Sequence, residues 1–507
     1  MNQDVIDAAR DAFGRNGPGI VLGGVIHEGE THPEPLVTLP LSMMNRHGLI
    51  AGATGTGKTK TLQLIAEQLS AAGVPVFLAD VKGDVSGVAA PGAGHPKVDE
   101  RVQATGYAWE PTAFPVEFLS LTGRQGAQLR ATVSSFGPLL LSKVLGLNDT
   151  QTSVLTLVFK YCDDKGLLLL DFEDLRSVLQ YLVQDGAGEL ASYGGMSKQT
   201  VGVLLREMVE LEEQGAGAFF GEPEFDLGDL LHVDRDGRGV ISMLELSDTQ
   251  DKPALFSTFM MWMLARLYNT LPEVGDLAQP KLVFFLDEAH LLFDGSSKAF
   301  RDQVEQVVRL VRSKGVGVFF VTQSPKDIPA DILGQLGNRV QHALRAFTPD
   351  DEKAMRAAAR TFPRTPFYEI ERELTSLGTG QALVTVLTPK GTPTPPFATM
   401  MVPPRGRMSP LTETELQVAL GRSAQVSEYA RAIDRESARE ILAERAASAA
   451  AEAPVVAQST ARGRATKAPP STLDKVLKSS MARTVVGVVA RGIMGALLGT
   501  TVRRRRR

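Results

Sequence analysis

The sequence contains a single cysteine, Cys162, among its 507 residues. One cysteine excludes an intramolecular disulfide and a cysteine-rich metal site, and this usage is typical of a protein that stays in the reducing cytosol. The first residues, MNQDVIDAARDAFGRNG, are polar and of mixed charge, so they lack the apolar core that a signal peptide requires. These absences predict a cytoplasmic protein.

The chain also lacks the strong positive charge that marks many nucleic-acid binders, since its formal net charge is −4. The charge is unevenly distributed, however. Residues 421–507 hold 17 Lys and Arg against 7 Asp and Glu, a net +10, which leaves −14 for residues 1–420. An acidic body with a basic tail indicates that the tail contacts an anionic partner, or the body itself.

Apolar runs that are typical of buried strands recur from about residue 36 onwards, with helical patterns between them. They lie at 47–52, 74–80, 238–246, 281–287, 315–323, 339–347 and 381–388. Near-continuous runs of Val, Ile, Leu and Phe indicate strands that are buried on both faces, and intervening helices imply a mostly parallel sheet. The sequence therefore predicts an α/β fold with helices on both faces of the sheet.

Shifts in composition divide the chain into several expected parts. These are a short β-containing segment at 1–35, the α/β domain at 36–403 with a helical insertion at about 108–235, a helical extension at 404–452, a linker at 453–472, and an apolar helix with a basic tail at 473–507.

A glycine-rich loop follows the first strand of the α/β domain. Gly52-Ala53-Thr54-Gly55-Thr56-Gly57-Lys58-Thr59 is a complete G-x-x-x-x-G-K-[ST] pattern between an apolar strand and a helical segment. The glycines let backbone N–H groups curl around phosphates, and the helix N-terminus adds a positive dipole end. We expect Lys58 to bridge the β- and γ-phosphates of ATP and Thr59 to hold Mg²⁺.

The run at 281–287 leads into Asp287-Glu288-Ala289-His290, the four letters that name a large class of helicases. A carboxylate at the end of a buried strand suits Mg²⁺ binding, which we assign to Asp287, and Glu288 is placed to activate the attacking water as a general base. Those helicases carry two such domains in tandem and a Q-R-x-G-R-x-G-R motif, neither of which is found here. We therefore expect His290 to be a structural residue rather than a coupling residue.

The following strand ends in Thr322-Gln323. Gln323 is positioned to sense the γ-phosphate, although a polar pair that merely ends a strand would look the same. Upstream of that strand, Arg309 and Arg312 fall in the last turns of a helical segment, where they complement the helix dipole.

Several ordered segments resemble the HerA/FtsK group of P-loop ATPases, and the chain is most similar to the bacterial HerA-like family. The segments are GLIAGATGTGKT, LADVKGD at 78–84, FFLDEAH, RSKGVGVFFVTQSP at 312–325 and LGNRVQHALRAFTP at 336–349. The helical pattern at 147–176 is also similar, and the resemblance covers roughly residues 20–400. It implies a RecA-like fold of the type with an additional strand and a catalytic glutamate.

The resemblance further implies a ring-forming motor, expected to be a hexamer, that hydrolyses Mg-ATP and translocates on DNA. In such rings a neighbour's arginine completes each site. By position Arg339 is the first candidate, Arg345 the second and Arg312 the third, although each could instead serve a subunit interface or a local carboxylate. Asp80 and Asp84 lie where this class places acidic residues near the nucleotide, and a capped turn explains them equally well.

Two departures from the family keep other functions open. The N-terminal β-barrel of archaeal HerA is abbreviated or missing, and the acidic body differs from the basic pore of duplex-binding rings. An ATPase that remodels or transports proteins is therefore an alternative, as is a nucleotide-gated scaffold.

The C-terminal segment has several possible partners. Thr484–Val502 is apolar but carries Arg491 at its centre, which opposes membrane insertion. A helix packed on the body or a neighbouring subunit, a helix on the membrane surface, and a membrane span all agree with the pattern. Arg503–Arg507 suits DNA phosphates or anionic lipid, and would equally solubilise the chain or neutralise its body.

Overall fold

The computed structural model describes residues 2–14, 17–190, 193–293, 298–346 and 348–452. Met1–Ala447 form one compact unit, and the second unit, from Ser448, is described only as far as Glu452. The expected linker and the apolar C-terminal segment lie outside the described residues. None of the described helices is long and apolar enough to cross a lipid bilayer.

A single 12-stranded sheet forms the centre of the compact unit. Its strands are β1 (Gly19–His27), β2 (Glu30–Pro40), β3 (Gly48–Ala51), β4 (Val76–Asp80), β5 (Val116–Ser120), β6 (Ala127–Gln128), β7 (Ile241–Glu245), β8 (Leu282–Leu286), β9 (Val316–Thr322), β10 (Asn338–His342), β11 (Gln381–Thr385) and β12 (Phe397–Met401). Their order is β2-β1-β12-β11-β10-β3-β9-β8-β4-β7-β5-β6.

Most of the sheet is parallel. All neighbours from β10 to β6 in this order run parallel, whereas β11, β12, β1 and β2 add an antiparallel side. The α/β fold with a mostly parallel sheet is therefore confirmed. Because parallel strands share one carboxyl edge, the segments that follow β3, β9, β8 and β4 meet at that edge.

Helices cover both faces of the sheet. They are α1 (Asn2–Phe13), α2 (Lys58–Ala71), α3 (Pro96–Thr105), α4 (Val133–Val144), α5 (Asp149–Lys165), α6 (Phe172–Val183), α7 (Ala187–Leu190), α8 (Lys198–Glu213), α9 (Ala216–Phe219), α10 (Pro253–Thr270), α11 (His290–Phe293), α12 (Lys298–Val311), α13 (Ala330–Leu333), α14 (Pro349–Ala359), α15 (Ile370–Ser376), α16 (Glu413–Leu420), α17 (Ala424–Tyr429) and α18 (Ala438–Glu452).

Most of the buried side chains of the strands belong to two large hydrophobic cores. In β8, Phe284 and Leu286 pack into the core that the helical insertion and α10 share. Val283 and Phe285 of the same strand pack on the opposite face, with α1 and α2. Alternate side chains of a strand point to opposite faces, so a strand covered on both sides is mostly apolar along its length.

The N-terminal segment and the insertion both contribute strands to this sheet. β2 runs through residue 35, and β1 pairs with β12, so the expected boundary at 35 divides a strand. β5 and β6 lie inside the expected insertion at 108–235, and β5 pairs with β7. These strands extend the sheet through backbone hydrogen bonds, and the periodicity of the sequence does not show which strands pair.

Local signals fix the ends of the insertion helices. Asn148 and Gln151 form a capping box at the start of α5, and Asp171 and Asp174 form another at the start of α6. α5 ends at Lys165, and the next residue, Gly166, has a φ of 66°, a left-handed conformation that favours glycine. The helical patterns seen in the sequence at 147–176 therefore become two separate helices.

Candidate nucleotide-hydrolysis site

The glycine-rich loop joins β3 to α2 at the carboxyl edge of the sheet. β3 ends at Ala51, and α2 begins at Lys58, with Thr59 half-buried beside it. The side chain of Lys58 is buried, and its Nζ lies 3.3 Å from the carbonyl oxygen of Ala53 in the same loop. The strand–loop–helix geometry is the one that presents backbone N–H groups to phosphates.

Residues outside the loop pack against it and form hydrogen bonds with it. The N–H of Gly380 donates a hydrogen bond of 2.8 Å to the carbonyl of Thr56. A Cβ on Gly57, whose φ is 117°, would lie 3.2 Å from the Cα of Gly380. Arg101 of α3 in turn donates to the carbonyls of Thr379 and Gly380 at 2.6 and 2.9 Å. The loop is therefore packed against the β10–β11 connection.

His342, at the end of β10, supports the same loop. Its Nδ1 is 2.9 Å from the carbonyl of Gln381, and its Nε2 is 2.9 Å from Oγ1 of Thr61 in α2. Burial lowers the pKa of His342 to about 4, and the charges of Lys58 and Arg101 act in the same direction. A neutral ring donates from Nδ1 and accepts at Nε2, which fits both contacts.

A group of carboxylates faces the loop from β4 and β8. Asp80, Asp84 and Asp287 each offer an oxygen, and these oxygens lie within 4.8 Å of one another. Asp287 is 3% exposed, and its Oδ2 has no hydrogen-bond partner among the described residues. Burial, and then the charge of Glu288, raise the pKa of Asp287 to about 7. Hard oxygen ligands and an unsatisfied buried carboxylate fit a divalent cation such as Mg²⁺.

Asp80 also organises the turn that follows β4. Its Oδ1 accepts hydrogen bonds from the N–H groups of Lys82 and Gly83 at 3.1 and 2.8 Å, and its Oδ2 accepts one from Val85 at 2.8 Å. Asp80 therefore caps this turn and also belongs to the carboxylate group, so the two interpretations of its sequence position are compatible.

Glu288 follows Asp287 with a φ of 45°, a left-handed conformation. Its side chain is 5% exposed and forms an ion pair with Lys82 through Oε1, while Nδ1 of His290 lies 3.4 Å from Oε2. Although burial alone would raise the pKa of Glu288, the hydrogen bond and charge of Lys82, with His290 and Lys58, lower it below its ordinary value. Glu288 is therefore an ionised carboxylate held between two side chains.

This contact changes the interpretation of His290. The sequence predicted a structural residue at the end of a strand, but the ring lies beside Glu288 and also lines the adjoining cavity. The tetrapeptide that ends at His290 thus contributes three side chains to one edge of the sheet.

A cavity of about 400 Å³ adjoins the carboxyl edge next to the loop. Ala53, His290, Gln323 and Arg345 line it together with residues of α14. Gln323 follows β9 directly and is exposed, as is Arg345 shortly after β10. The structure therefore brings Gln323 and Arg345 to the same open space beside the phosphate loop.

The first-ranked arginine is placed differently. Arg339 directs its guanidinium at three carbonyls of its own chain, with hydrogen bonds of 2.7 Å to Thr361, 3.2 Å to Leu333 and 3.3 Å to Leu336. These contacts engage the guanidinium with the local backbone, and the assignment of Arg339 to a neighbour's site stays a prediction. Arg312 precedes β9 and so lies at the opposite edge of the sheet from Gln323.

A second cavity, of about 270 Å³, opens on the other side of the loop. Gly57 and Thr61 form one wall. The remaining walls are mostly apolar or backbone and include Val98, Gly380 and the segment 401–404. Neither this cavity nor the support from His342 was predicted, because the lining residues are distant in sequence.

Lys82 was also missed as a site residue, although it lies between the two aspartates of LADVKGD. Its partner Glu288 is 206 positions away along the chain. The available signal was its place in a short acidic turn, where a lysine has carboxylates within reach.

Comparison with known proteins places these features in a family. The chain matches the family described as helicase HerA-like, C-terminal, over residues 26–507. The DNA double-strand break repair helicase HerA of Sulfolobus acidocaldarius is 21% identical over 352 residues, which are 69% of this chain and 64% of that protein. The protein of the same name from Sulfurisphaera tokodaii is 28% identical over 165 residues, 32% of each chain.

The solved structures that resemble this chain include plasmid coupling protein TrwB with the ATP analogue ADPNP, at 16% identity and a TM-score of 0.49, covering 78% of this chain and 98% of that one. This chain spans 64% of the length of the Sulfolobus acidocaldarius relative. Because the family match covers residues 26–507, the chain belongs to the helicase HerA-like C-terminal family, as its ordered motifs predicted.

Proposed function

We propose that this protein binds and hydrolyses ATP with Mg²⁺ at the edge of the sheet formed by the glycine-rich loop, Asp287 and Glu288. The observation that carries the proposal is the convergence of a phosphate-binding loop, an unsatisfied buried carboxylate and an ionised glutamate at one edge. Family membership supports it. The electrostatics agree, because the charges of Glu288 and Asp287 partly offset the lowering of the pKa of Lys58 by burial.

Each residue has a role that its position supports. The loop N–H groups and Lys58 bind the phosphates, and Glu288 accepts a proton from the attacking water. Gln323, exposed at the end of β9, contacts the γ-phosphate side. Asp287 and Thr59, with Asp84 nearby, hold Mg²⁺, which when bound neutralises phosphate charge.

The cavity between Gly57 and the segment 401–404 is the proposed place for the adenine ring. It adjoins the start of α2, where the phosphates would bind, and its volume of about 270 Å³ exceeds what a purine needs. Val98, Met401 and Pro404 offer apolar surface for the ring faces.

We further propose that the protein is a ring-forming motor, of hexameric type, that moves along DNA in the cytoplasm. The names of its relatives, DNA double-strand break repair helicases, support DNA as the polymer. Arg345, which is exposed on the cavity beside the loop, is the proposed residue that one subunit gives to its neighbour's site. Any membrane-surface contact by the C-terminal tail is a separate hypothesis.

Replacement of the general base tests the hydrolytic claim. In Glu288→Gln we expect ATP turnover to fall at least about 100-fold, because the amide cannot accept the proton of water. Binding of a fluorescent ATP analogue should stay within about threefold of wild type, since the phosphate loop is untouched. Glu371→Gln, on the exposed surface of α15, is the matched control and should keep normal turnover. Full activity in Glu288→Gln would contradict the assignment.

A further inference from the structure

The contact between Lys82 and Glu288 joins two neighbouring strands at the site. Lys82 lies in the turn after β4, and Glu288 in the turn after β8, which pairs with β4 through Ala79 and Leu286. The Nζ of Lys82 bonds to Oε1 of Glu288 as an ion pair. The pair is thus built into the carboxyl edge of the sheet.

The backbone under Lys82 is held firmly. Asp80 accepts hydrogen bonds from the N–H groups of Lys82, Gly83 and Val85, and Asp80 itself is buried. Gln250 donates a further hydrogen bond of 2.6 Å to the carbonyl of Val81. These hydrogen bonds fix the backbone of the turn, and the Lys82 side chain extends from it to Glu288.

The two partners differ in exposure. The side chain of Lys82 is 46% exposed, whereas that of Glu288 is 5% exposed. Water can solvate the ammonium when it leaves, whereas Glu288 stays inside the site, so the main cost of release is the buried carboxylate left without its partner. Of the two side chains, the lysine is the one that can move into water.

The contact also affects what Glu288 can do. A general base needs a free carboxylate oxygen within reach of the attacking water. Here Oε1 is bonded to Lys82, while Oε2 accepts no hydrogen bond among the described residues and lies 3.4 Å from Nδ1 of His290. Lys58, the lysine of the phosphate loop, contacts the carbonyl of Ala53 instead. Lys58 therefore belongs to the phosphate-binding loop, whereas Lys82 is the lysine that contacts the proposed general base, Glu288.

We propose that Lys82 is a positioning residue that restrains Glu288 through this ion pair, and that release of the lysine limits the rate of hydrolysis. The inference rests on the proposed ATPase activity and deepens it, because it names the side chain that limits the rate of turnover. Lys82 acts through Glu288 and needs no contact with the reacting atoms.

Replacement of Lys82 tests this inference through turnover. We expect Lys82→Met to raise kcat for ATP at least threefold in the absence of any polymer, with KM and the affinity for a fluorescent ATP analogue within twofold of wild type. Lys82→Arg, which keeps the ion pair, should match wild type. Lys160→Met removes another lysine ion pair, with Asp164 on α5, and is the control for loss of one charge. An unchanged or lower kcat in Lys82→Met, with nucleotide affinity retained, would overturn the proposal.

A second measurement uses the wild-type chain and does not depend on turnover. Reductive methylation followed by mass spectrometry gives the rate at which the Lys82 amine reacts. We expect this rate to rise severalfold when ADPNP and Mg²⁺ are added, while that of Lys160 stays constant. An unchanged Lys82 rate would overturn the restraint even if the protein hydrolyses ATP. Absence of hydrolysis with a raised Lys82 rate would instead remove only the proposed function.

Discussion

At the scale of single residues, a buried histidine supports the phosphate loop only while it is neutral. The folded-state pKa of His342 is about 4, below the ordinary value of 6.5, so the unfolded chain binds more protons between these pH values. The stability that depends on His342 is therefore complete above pH 6.5 and is lost as the pH falls towards 4. His47 is also buried, with a pKa of about 4, so it too makes the protein less stable as the pH falls.

This linkage predicts how a histidine variant responds to acid. Between pH 7.5 and 5.0, the fall in the free energy of unfolding should be smaller in His342→Gln than in wild type by on the order of 2 kcal/mol, because one titrating group is gone. Urea titrations at the two pH values measure the fall. His232→Gln removes an exposed histidine and should reproduce the wild-type fall. Equal falls in all three proteins would refute the linkage.

The residues of the candidate site differ in how well they could be predicted from the sequence. Lys58, Asp287 and Glu288 were predictable because a contiguous motif at a strand end carries each of them. Lys82 and His342 were not, because their roles come from partners that only the sheet order brings near. The three carbonyls that Arg339 contacts could not be predicted either, because the chain brings them near only after folding.

At the scale of elements, the phosphate loop depends on close packing against the β10–β11 connection. Gly57 has a φ of 117°, and its Cα lies so close to Gly380 that a side chain would not fit unless one of the two segments moved. A methyl group there must displace the loop or the connection, and either movement disturbs the backbone N–H groups that would face phosphate.

Substitution of this glycine should weaken nucleotide binding. We expect Gly57→Ala to lower the affinity for a fluorescent ATP analogue at least tenfold, as measured by anisotropy titration. Gly217→Ala is the matched control, since a Cβ on that α9 residue would meet no described atom within 4 Å. It should bind the analogue within twofold of wild type. Equal affinities for the two variants would show that the packing is unimportant.

The elements themselves were predictable to different degrees. The apolar runs identified the parallel strands around the site, because burial on both faces favours apolar residues along the whole strand. β5 and β6 were hidden within a region of helical character, and β2 crosses an expected boundary. An edge strand such as β6, which has only two residues, is too short for an alternation of apolar and polar residues to be recognised.

At the scale of the whole molecule, the proposed ring predicts that two inactive variants rescue each other. Arg345→Ala should reduce turnover because the neighbour's site loses its arginine, and Glu288→Gln lacks the base. In mixed rings, an interface that combines Glu288 from one subunit with Arg345 from the other is intact. We therefore expect an equimolar, co-assembled mixture to hydrolyse ATP faster than either variant alone. A mixture no faster than the sum of its parts would place Arg345 in its own subunit's site, or outside any site.

Charge is the whole-molecule feature that sequence alone could not interpret. An acidic body of net −14 before residue 421 does not favour DNA, whereas the family relatives are named as DNA repair helicases. A strongly basic stretch, Arg503–Arg507, lies outside the described residues. Only a functional measurement with the polymer separates a DNA motor from an ATPase that acts on proteins.

The most direct test of the central claim is the steady-state rate of ATP hydrolysis by the full chain as duplex DNA is titrated in. We expect the wild-type rate to rise at least threefold and to saturate, while the Glu288→Gln rate stays near zero at every DNA concentration. A wild-type rate that is measurable but indifferent to duplex DNA throughout the titration would contradict the DNA-motor account, and no hydrolysis under any condition would contradict the ATPase itself.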